Sequence, residues 1–338
     1  MVLEKLKTKD RVLDDLLKKP GTYFSGDQLA TDLAISRESV WKAVKALQKD
    51  GHRIVSKKKS GYAYLYSDHV NEHVLTAYLE QLSSGKQDFE KIMVFDNIGS
   101  TQTYAKDYVA KHPSQKPAVF TARTMDAGYG RRGRAFFAAK DRGIYLSMTM
   151  PVARKELVAS LLTTSAAVVL AQVIEEFFPG TAVSLKWVND LIVNQHKVGG
   201  ILTEAVYDME NQQFSGLVPA FFVNLLPADY PEEISNKAGS VLQEEQPVDL
   251  NLIAATVVLR WIQMANDYLD GRYMDAYRER SFLIGQVVTV QVGQEQLTGE
   301  VVGISNQGAL ELKLESGETR VLYAGEVTKV KLMENLNL

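Results

Sequence analysis

Two helix starts of the same design follow one another near the N-terminus, and together they leave few folds open. In FSGDQLATDLAIS, Ser25 and Gln28 have capping-box spacing and Phe24 with Leu29 the spacing of a hydrophobic staple, so a helix opens here with Leu29, Ala30 and Leu33 on its apolar face. Ile35 and Val40 repeat the staple around Ser36, which predicts a second helix with Val40, Trp41, Val44 and Leu47 on its inner face, stopping at Asp50-Gly51. Ahead of both, Val12, Leu13, Leu16 and Leu17 recur with helical period until Pro20-Gly21. Behind them, HRIVSKKKSGYAYLY alternates as a hairpin with Lys57, Lys58 and Lys59 at its tip. This order is that of a winged helix-turn-helix. Arg37, Ser39, Lys42 and Lys45 fall on the free face of the second helix, where lysines supply phosphate affinity and Arg37 and Ser39 can reach base edges. Cations from Arg37 to Lys59 outnumber Glu38 and Asp50, although the chain as a whole carries a net charge of -3.

The remaining composition excludes several classes. The 338 residues contain no cysteine, so neither a disulfide framework nor thiolate chemistry is available. The N-terminal MVLEKLKTKD lacks the apolar stretch of a secretory signal, and LVASLLTTSAAVVLAQVI is interrupted by Ser, Thr and Gln as in a buried helix. The expectation is a cytoplasmic protein with no membrane partner.

From residue 67 the pattern becomes that of an α/β or α+β sheet domain. A helix over Glu72 to Leu82 and the turn Ser83-Ser84-Gly85 precede strand-like KIMVFDNI, helix-like STQTYAKDYVAKH, and strand-like AVFTART and GIYLSMTM. A long helix from Lys155 to Phe178 and the strands AVSLKWV, KVGGILTEAVY and LVPAFFVNLL follow. Four stretches carry chemistry. In GYGRRGR the glycines Gly128, Gly130 and Gly133 let backbone N–H groups approach an anion, while Arg131, Arg132 and Arg134 add planar bidentate donors. The loop lacks the Walker spacing. In SLKWVND, Lys186 is held on a strand beside Asn189 and Asp190, placed to stabilise charge developing on a phosphoryl or carboxylate oxygen. Gly199 and Gly200 open the strand GGILTE, and Ser100 with Thr101 begins a helix after a strand. From Phe282 onward, short alternating strands separated by Gly- and Asn-containing turns predict a small antiparallel barrel of about five strands. The predicted domains are residues 1–66, 67–280 and 281–338.

Taken together and in this order, GYGRRGR, KWVND, GILTE and STQ resemble the biotin protein ligases of the bifunctional type that also repress the biotin operon. The resemblance covers the whole chain and implies the α+β form: a winged helix, a mixed-sheet ligase domain of the biotin/lipoate type and an SH3-like C-terminal domain. It implies ATP, biotin and Mg2+ as ligands, with the metal bound through phosphates and water rather than by a dedicated protein cage. Biotin and ATP would form biotinyl-AMP, which both transfers biotin to a lysine of a biotin carboxyl carrier protein domain and acts as corepressor. Operator DNA and a second copy of the chain are the other implied partners. On that resemblance Lys186 lies between carboxylate and α-phosphate, and Ser100 and Thr101 reach the biotin ring. Arg131, Arg132 and Arg134 order the loop and contact phosphate, Phe136 stands near the adenine, Asn189 and Asp190 support Lys186 and the nucleotide, and Asn224 lies near the phosphate.

Four positions depart from the family pattern. Met125 stands for a glutamine, Tyr129 for the loop's first arginine, Val188 for a proline, and Phe222 for a glycine of the pocket floor. Alternation aims Phe222 to the same side as Ala220, where a ring should lie. A ureido group facing Met and Phe loses about 1–3 kcal/mol for each hydrogen-bonding group left unpaired. Three functions are therefore carried forward: a biotin ligase and repressor, a DNA-binding regulator using the ligase fold as a sensor, and a ligase for another acyl acid.

Overall fold

A computed structural model describes residues 7–112, 116–151 and 157–331. By packing, the chain divides into two compact units: residues 1–87 with 246–255, and residues 88–245 with 256–338.

The first unit is built from α1 (Thr8–Leu17), α2 (Gly26–Asp32), α3 (Arg37–Lys49) and the antiparallel hairpin β1 (His52–Lys57) and β2 (Gly61–Ser67). Both predicted caps form: the Ser25 hydroxyl accepts from Gln28 N at 3.0 Å, and that of Ser36 from Ser39 N at 3.1 Å. Gly51, with φ +91°, turns the chain from α3 into β1, a conformation that favours glycine. Val12, Leu13, Leu16, Leu17, Leu29, Val40, Val44 and Leu47 make the core. Trp41 does not join them. Helical rotation carries it beyond the edge of the buried stripe, and it remains 50% exposed, which corrects its predicted inner-face position. A further helix, α4 (Glu72–Leu82), begins at the Asn71 cap and belongs to this unit, where Tyr78 OH donates to Asp249 Oδ2 at 2.7 Å.

The second unit holds a seven-stranded sheet. Its strands are β3 (Lys91–Phe95), β4 (Ala118–Ala122), β5 (Gly143–Thr149), β6 (Ser184–Lys186), β7 (Asp190–Val193), β8 (His196–Asp208) and β9 (Gln213–Asn224), in spatial order β3-β4-β5-β9-β8-β7-β6. The β3–β4 pair is parallel and the others antiparallel. Alternation divides β9 between two faces. Val218, Ala220 and Phe222 face the side on which α5 (Thr101–Lys111) packs, whereas Phe221 meets Trp261 of α7 (Leu250–Asp267) at 5.9 Å between ring centroids. Helix α6 (Ala159–Phe177) is buried over most of its length and packs against β6, β7 and β8. It is the core helix expected from its Ser, Thr and Gln interruptions; residues 152–156, where that helix was also expected to begin, lie outside the described residues.

After α8 (Met274–Glu279) come β10 (Val287–Val292), β11 (Glu295–Ile304), β12 (Leu310–Leu314), β13 (Thr319–Leu322) and β14 (Glu326–Lys331). They form the expected small antiparallel domain of five strands, in order β13-β12-β11-β10-β14. It is tied to the rest of the second unit by Trp187 Nε1, which donates to Gly308 O at 3.0 Å, and by Ser160 Oγ, which donates to Gln307 O at 2.8 Å.

Candidate active site and nucleic-acid interface

The cleft of the second unit forms where β6 turns into β7 beneath the Gly/Arg loop. The Trp187–Val188 peptide is cis. The turn is fastened to β8 by two bonds, Asn189 Nδ2 to Ile201 O at 2.8 Å and Ile201 N to Asn189 O at 3.0 Å. A Cβ at Gly200 would lie 3.2 Å from Asn189 O, so this glycine allows the close strand approach. Above it, Arg132 (φ +58°) and Gly133 (φ +70°) take left-handed conformations that turn the loop back over the cleft. A Cβ at Gly128 would meet the Met125 methyl at 2.9 Å and Phe136 O at 3.0 Å, so only glycine lets the loop leave its strand here.

Gly130, Arg131, Arg132, Arg134, Phe136, Lys186, Asn189, Asp190, Gly200 and Phe222 all line this cleft. Arg131 donates to Asn189 Oδ1 at 3.4 Å. Burial lowers the Lys186 pKa, with Lys197 and Arg134 acting in the same direction and the Asp190 carboxylate opposing them. Burial likewise lowers that of Arg131, reinforced by Arg132. Two half-buried cations, Lys186 and Arg131, whose charge is held at a cost, beside the exposed Arg132, Arg134 and Lys197, make a seat for a polyanion.

The other predicted site residues lie deeper or serve the backbone. Ser100 caps α5, accepting from Thr103 N at 3.4 Å, and Thr101 Oγ1 shares a 3.0 Å hydrogen bond with Ser147 Oγ while reaching Met125 Sδ at 3.6 Å. Asn224 is buried and accepts from Tyr145 OH at 3.0 Å. Met125 and Phe222 meet Ala122, Tyr145, Leu202 and Ala220 in one apolar cluster, with Phe136 and Tyr129 against its rim. The cleft that remains is about 100 Å³, against roughly 300–1,000 Å³ for pockets that enclose a small molecule.

Sequence reasoning missed three participants. Lys197 of β8 lines the cleft and pairs with Asp190 at 2.6 Å; a cation two residues before the glycine pair of this strand is the local signal for it. Glu326 of β14 comes from a distant segment with no local motif. Its carboxylate accepts from Arg132 at 2.8 Å and also pairs with Arg134, while Arg131 donates to Gly325 O at 3.2 Å. Glu204 gathers Gln102 Nε2 (2.9 Å), Lys106 Nζ (3.0 Å) and Tyr129 OH (3.3 Å). Tyr129, where an arginine was expected, thus anchors the loop base by hydrogen bonding.

In the first unit, Arg37 pairs with Asp27 at 3.0 Å and Lys42 with Glu38 at 2.7 Å. The Ser39 hydroxyl lies 2.9 Å from that of Ser36, so it is engaged in the cap rather than turned outward. Lys45, Lys57, Lys58 and Lys59 are exposed, with the Lys57 ammonium 5.8 Å from the centre of the Tyr23 ring.

A Gly/Arg loop over a mixed seven-stranded sheet, preceded by a winged helix and followed by a five-stranded domain, is the architecture of a ligase-type domain fused to a DNA-binding module. Comparison with known proteins agrees segment by segment. Residues 9–63 match the HTH domain, residues 94–218 the biotin/lipoate A/B protein ligase family, and residues 283–330 the biotin protein ligase C terminal domain. The bifunctional ligase/repressor BirA of Bacillus subtilis (strain 168) is 24% identical over 318 residues, 92% of this chain and 96% of the relative. BirA of Escherichia coli (strain K12) is 26% identical over 313 residues, 91% and 93% of the two chains. The biotin protein ligase from Aquifex aeolicus in complex with biotin and ATP shares the fold with a TM-score of 0.61 at 22% identity, over 71% of this chain and 98% of that one. The chain belongs to the biotin protein ligase family, in the form that carries an N-terminal helix-turn-helix domain.

Proposed function

We propose that this protein activates biotin with ATP to biotinyl-AMP, transfers the biotinyl group to a lysine of a carrier-protein domain, and binds operator DNA as a repressor. The observation that carries the catalytic reading is the convergence of Lys186, Lys197, Arg132 and Arg134 on one cleft, with the Glu326 carboxylate already seated between the two arginines as a stand-in anion. That donor set fits a phosphate chain. Lys186 would neutralise charge as the biotin carboxylate attacks the α-phosphorus and pyrophosphate leaves, with Asn189 holding the Lys186 turn in place. Asp190 and Glu326 are the carboxylates lining the cleft among the described residues; they would hold a Mg2+ ion that arrives with the nucleotide, whose charge would reduce repulsion on the attacking carboxylate. Ser100, Thr101 and Asn224 would serve the acid and phosphate only once the inner wall has opened.

We propose 1–66, 67–280 and 281–338 as the functional division into operator recognition, acid activation and closure of the loop through Glu326; by packing, α4 and residues 246–255 go with the first of these. A cytoplasmic homodimer, presenting two winged helices to a two-fold operator, belongs to the same reading.

A second reading is favoured by the apolar cluster of Met125, Leu202 and Phe222, of which Leu202 and Phe222 line the cleft with side chains that offer no hydrogen-bonding group. A carboxylic acid with an apolar tail, or a regulator that binds an adenylate without turnover, suits such a wall. The deciding experiment is intact-mass analysis of a biotin carrier domain incubated with the protein, MgATP and either biotin or octanoate, beside a Lys186→Ala control. A biotin-sized gain that the control abolishes supports the first reading. A gain with octanoate alone, or none with either acid, replaces it.

A further inference from the structure

Trp41 follows Arg37 by one turn of α3 and is half exposed beside Arg37, Ser56, Lys57 and Tyr62, in the groove between helix and hairpin. The groups expected to read bases are otherwise engaged: Arg37 by Asp27 and the Ser39 hydroxyl by Ser36. The cations of the hairpin tip and Lys45 have no ion pair among the described residues, so the charge on this face is complementary to a phosphate backbone while its largest apolar group points outward.

We infer that Trp41 is a sequence-reading residue: its indole enters the major groove of duplex DNA and packs on the C5-methyl of a thymine, while Lys57, Lys58 and Lys59 clamp the flanking phosphates. An apolar contact of this kind distinguishes thymine from the other bases, which present no methyl group there. Lysine contacts to phosphate position the protein without carrying sequence information. This inference rests on the operator-binding reading above.

The test uses the full chain. Wild-type protein first selects a duplex from a random pool. Wild type, Trp41→Ala and Trp41→Phe are then titrated against the selected duplex, an unselected one, and versions of the selected duplex with each thymine replaced in turn by uracil, which lacks only the methyl. We expect Trp41→Ala to bind the selected duplex about tenfold more weakly, Trp41→Phe to recover part of the loss, and the unselected duplex to be bound equally by all three. One uracil replacement should weaken wild type yet leave Trp41→Ala unaffected. The salt slope should stay with wild type for Trp41→Ala and become shallower for Lys58→Ala. Equal affinity of wild type and Trp41→Ala, an equal loss on selected and unselected duplexes, or no uracil position that separates the two proteins would overturn the inference. If wild type selects no sequence, operator binding itself fails, and the role of Trp41 fails with it.

Discussion

The ring of Phe222 lies 5.3 Å from that of Phe136, the planes inclined by 44°, and this pair closes the inner wall of the anion cleft. Phe222 is held in place by strand register, opposite Tyr145 on β5 and Gly200 on β8. It comes from the sheet floor and Phe136 from the far end of the Gly/Arg loop, so floor and loop are packed directly on each other.

Truncating the floor ring should therefore expose a latent ligand space. Phe222→Ala is expected to destabilise the ligand-free protein by about 3–5 kcal/mol, as removal of a buried phenyl does. A ligand that fills the void restores stability by mass action. The melting temperature of the variant should fall below that of wild type and rise further than wild type's when biotin is added. Equal rises in the two proteins would show that Phe222 does not stand where the acid binds.

Polyanion binding should depend on the charge of Lys186, whose pKa burial lowers. A bound phosphate chain favours the ammonium and raises that pKa again. Affinity for a nucleotide is thus greatest below the lowered pKa and declines as pH rises through it, and binding near that pH takes up a proton. Calorimetry in two buffers of different ionisation enthalpy reads this uptake directly, and Lys186→Met should remove it.

Acid should weaken the N-terminal unit through His52. This side chain is buried, and burial first, then His69, lowers its pKa from 6.5 to about 4. The unfolded chain takes up this proton near pH 6.5 and the folded one only near pH 4. Its contribution is therefore complete above pH 6.5 and lost as pH falls toward 4, amounting to about 3 kcal/mol at 1.36 kcal/mol per pKa unit. Amide protection factors in α3 and β1 should decline over that window in wild type and stay flatter in His52→Gln.

Loop order should depend on Glu204. Its carboxylate joins Gln102 and Lys106 of α5 to Tyr129 at the loop base, and the Lys106 ammonium lies 5.5 Å from the Tyr129 ring centre. In Glu204→Ala the three bonds to the carboxylate are lost, and of this group only the Lys106–Tyr129 contact is left. Trypsin should then cut after Arg131, Arg132 or Arg134 several-fold faster than in wild type, with global melting changed little because the pair is partly solvated. Unchanged cleavage would assign loop order to Glu326 and the Arg131 contacts with Asn189 and Gly325.

Most of the fold was legible because its signals are local. The Ser25 and Ser36 caps, the helix over Glu72 to Leu82, the lysine-tipped hairpin and the strand-like runs of β4, β5, β8 and β9 each depend on residues a few positions apart. The short strand β7 escaped because its four residues follow a turn motif that reads as loop. Trp41 was misplaced because periodicity ranks a tryptophan as apolar without saying where the buried stripe ends.

The sequence by itself determined the anion-binding loop, the strand lysine, the order of the modules and the direction of Phe222, since covalent spacing and strand alternation decide all of these. Only the tertiary structure brought Glu326 onto Arg132 and Arg134, set Lys197 against Asp190, turned Trp41 outward and packed Met125 with Phe222 into a closed wall. Those relationships join residues far apart in the chain, and their partners are chosen by sheet order and packing, which no local pattern encodes.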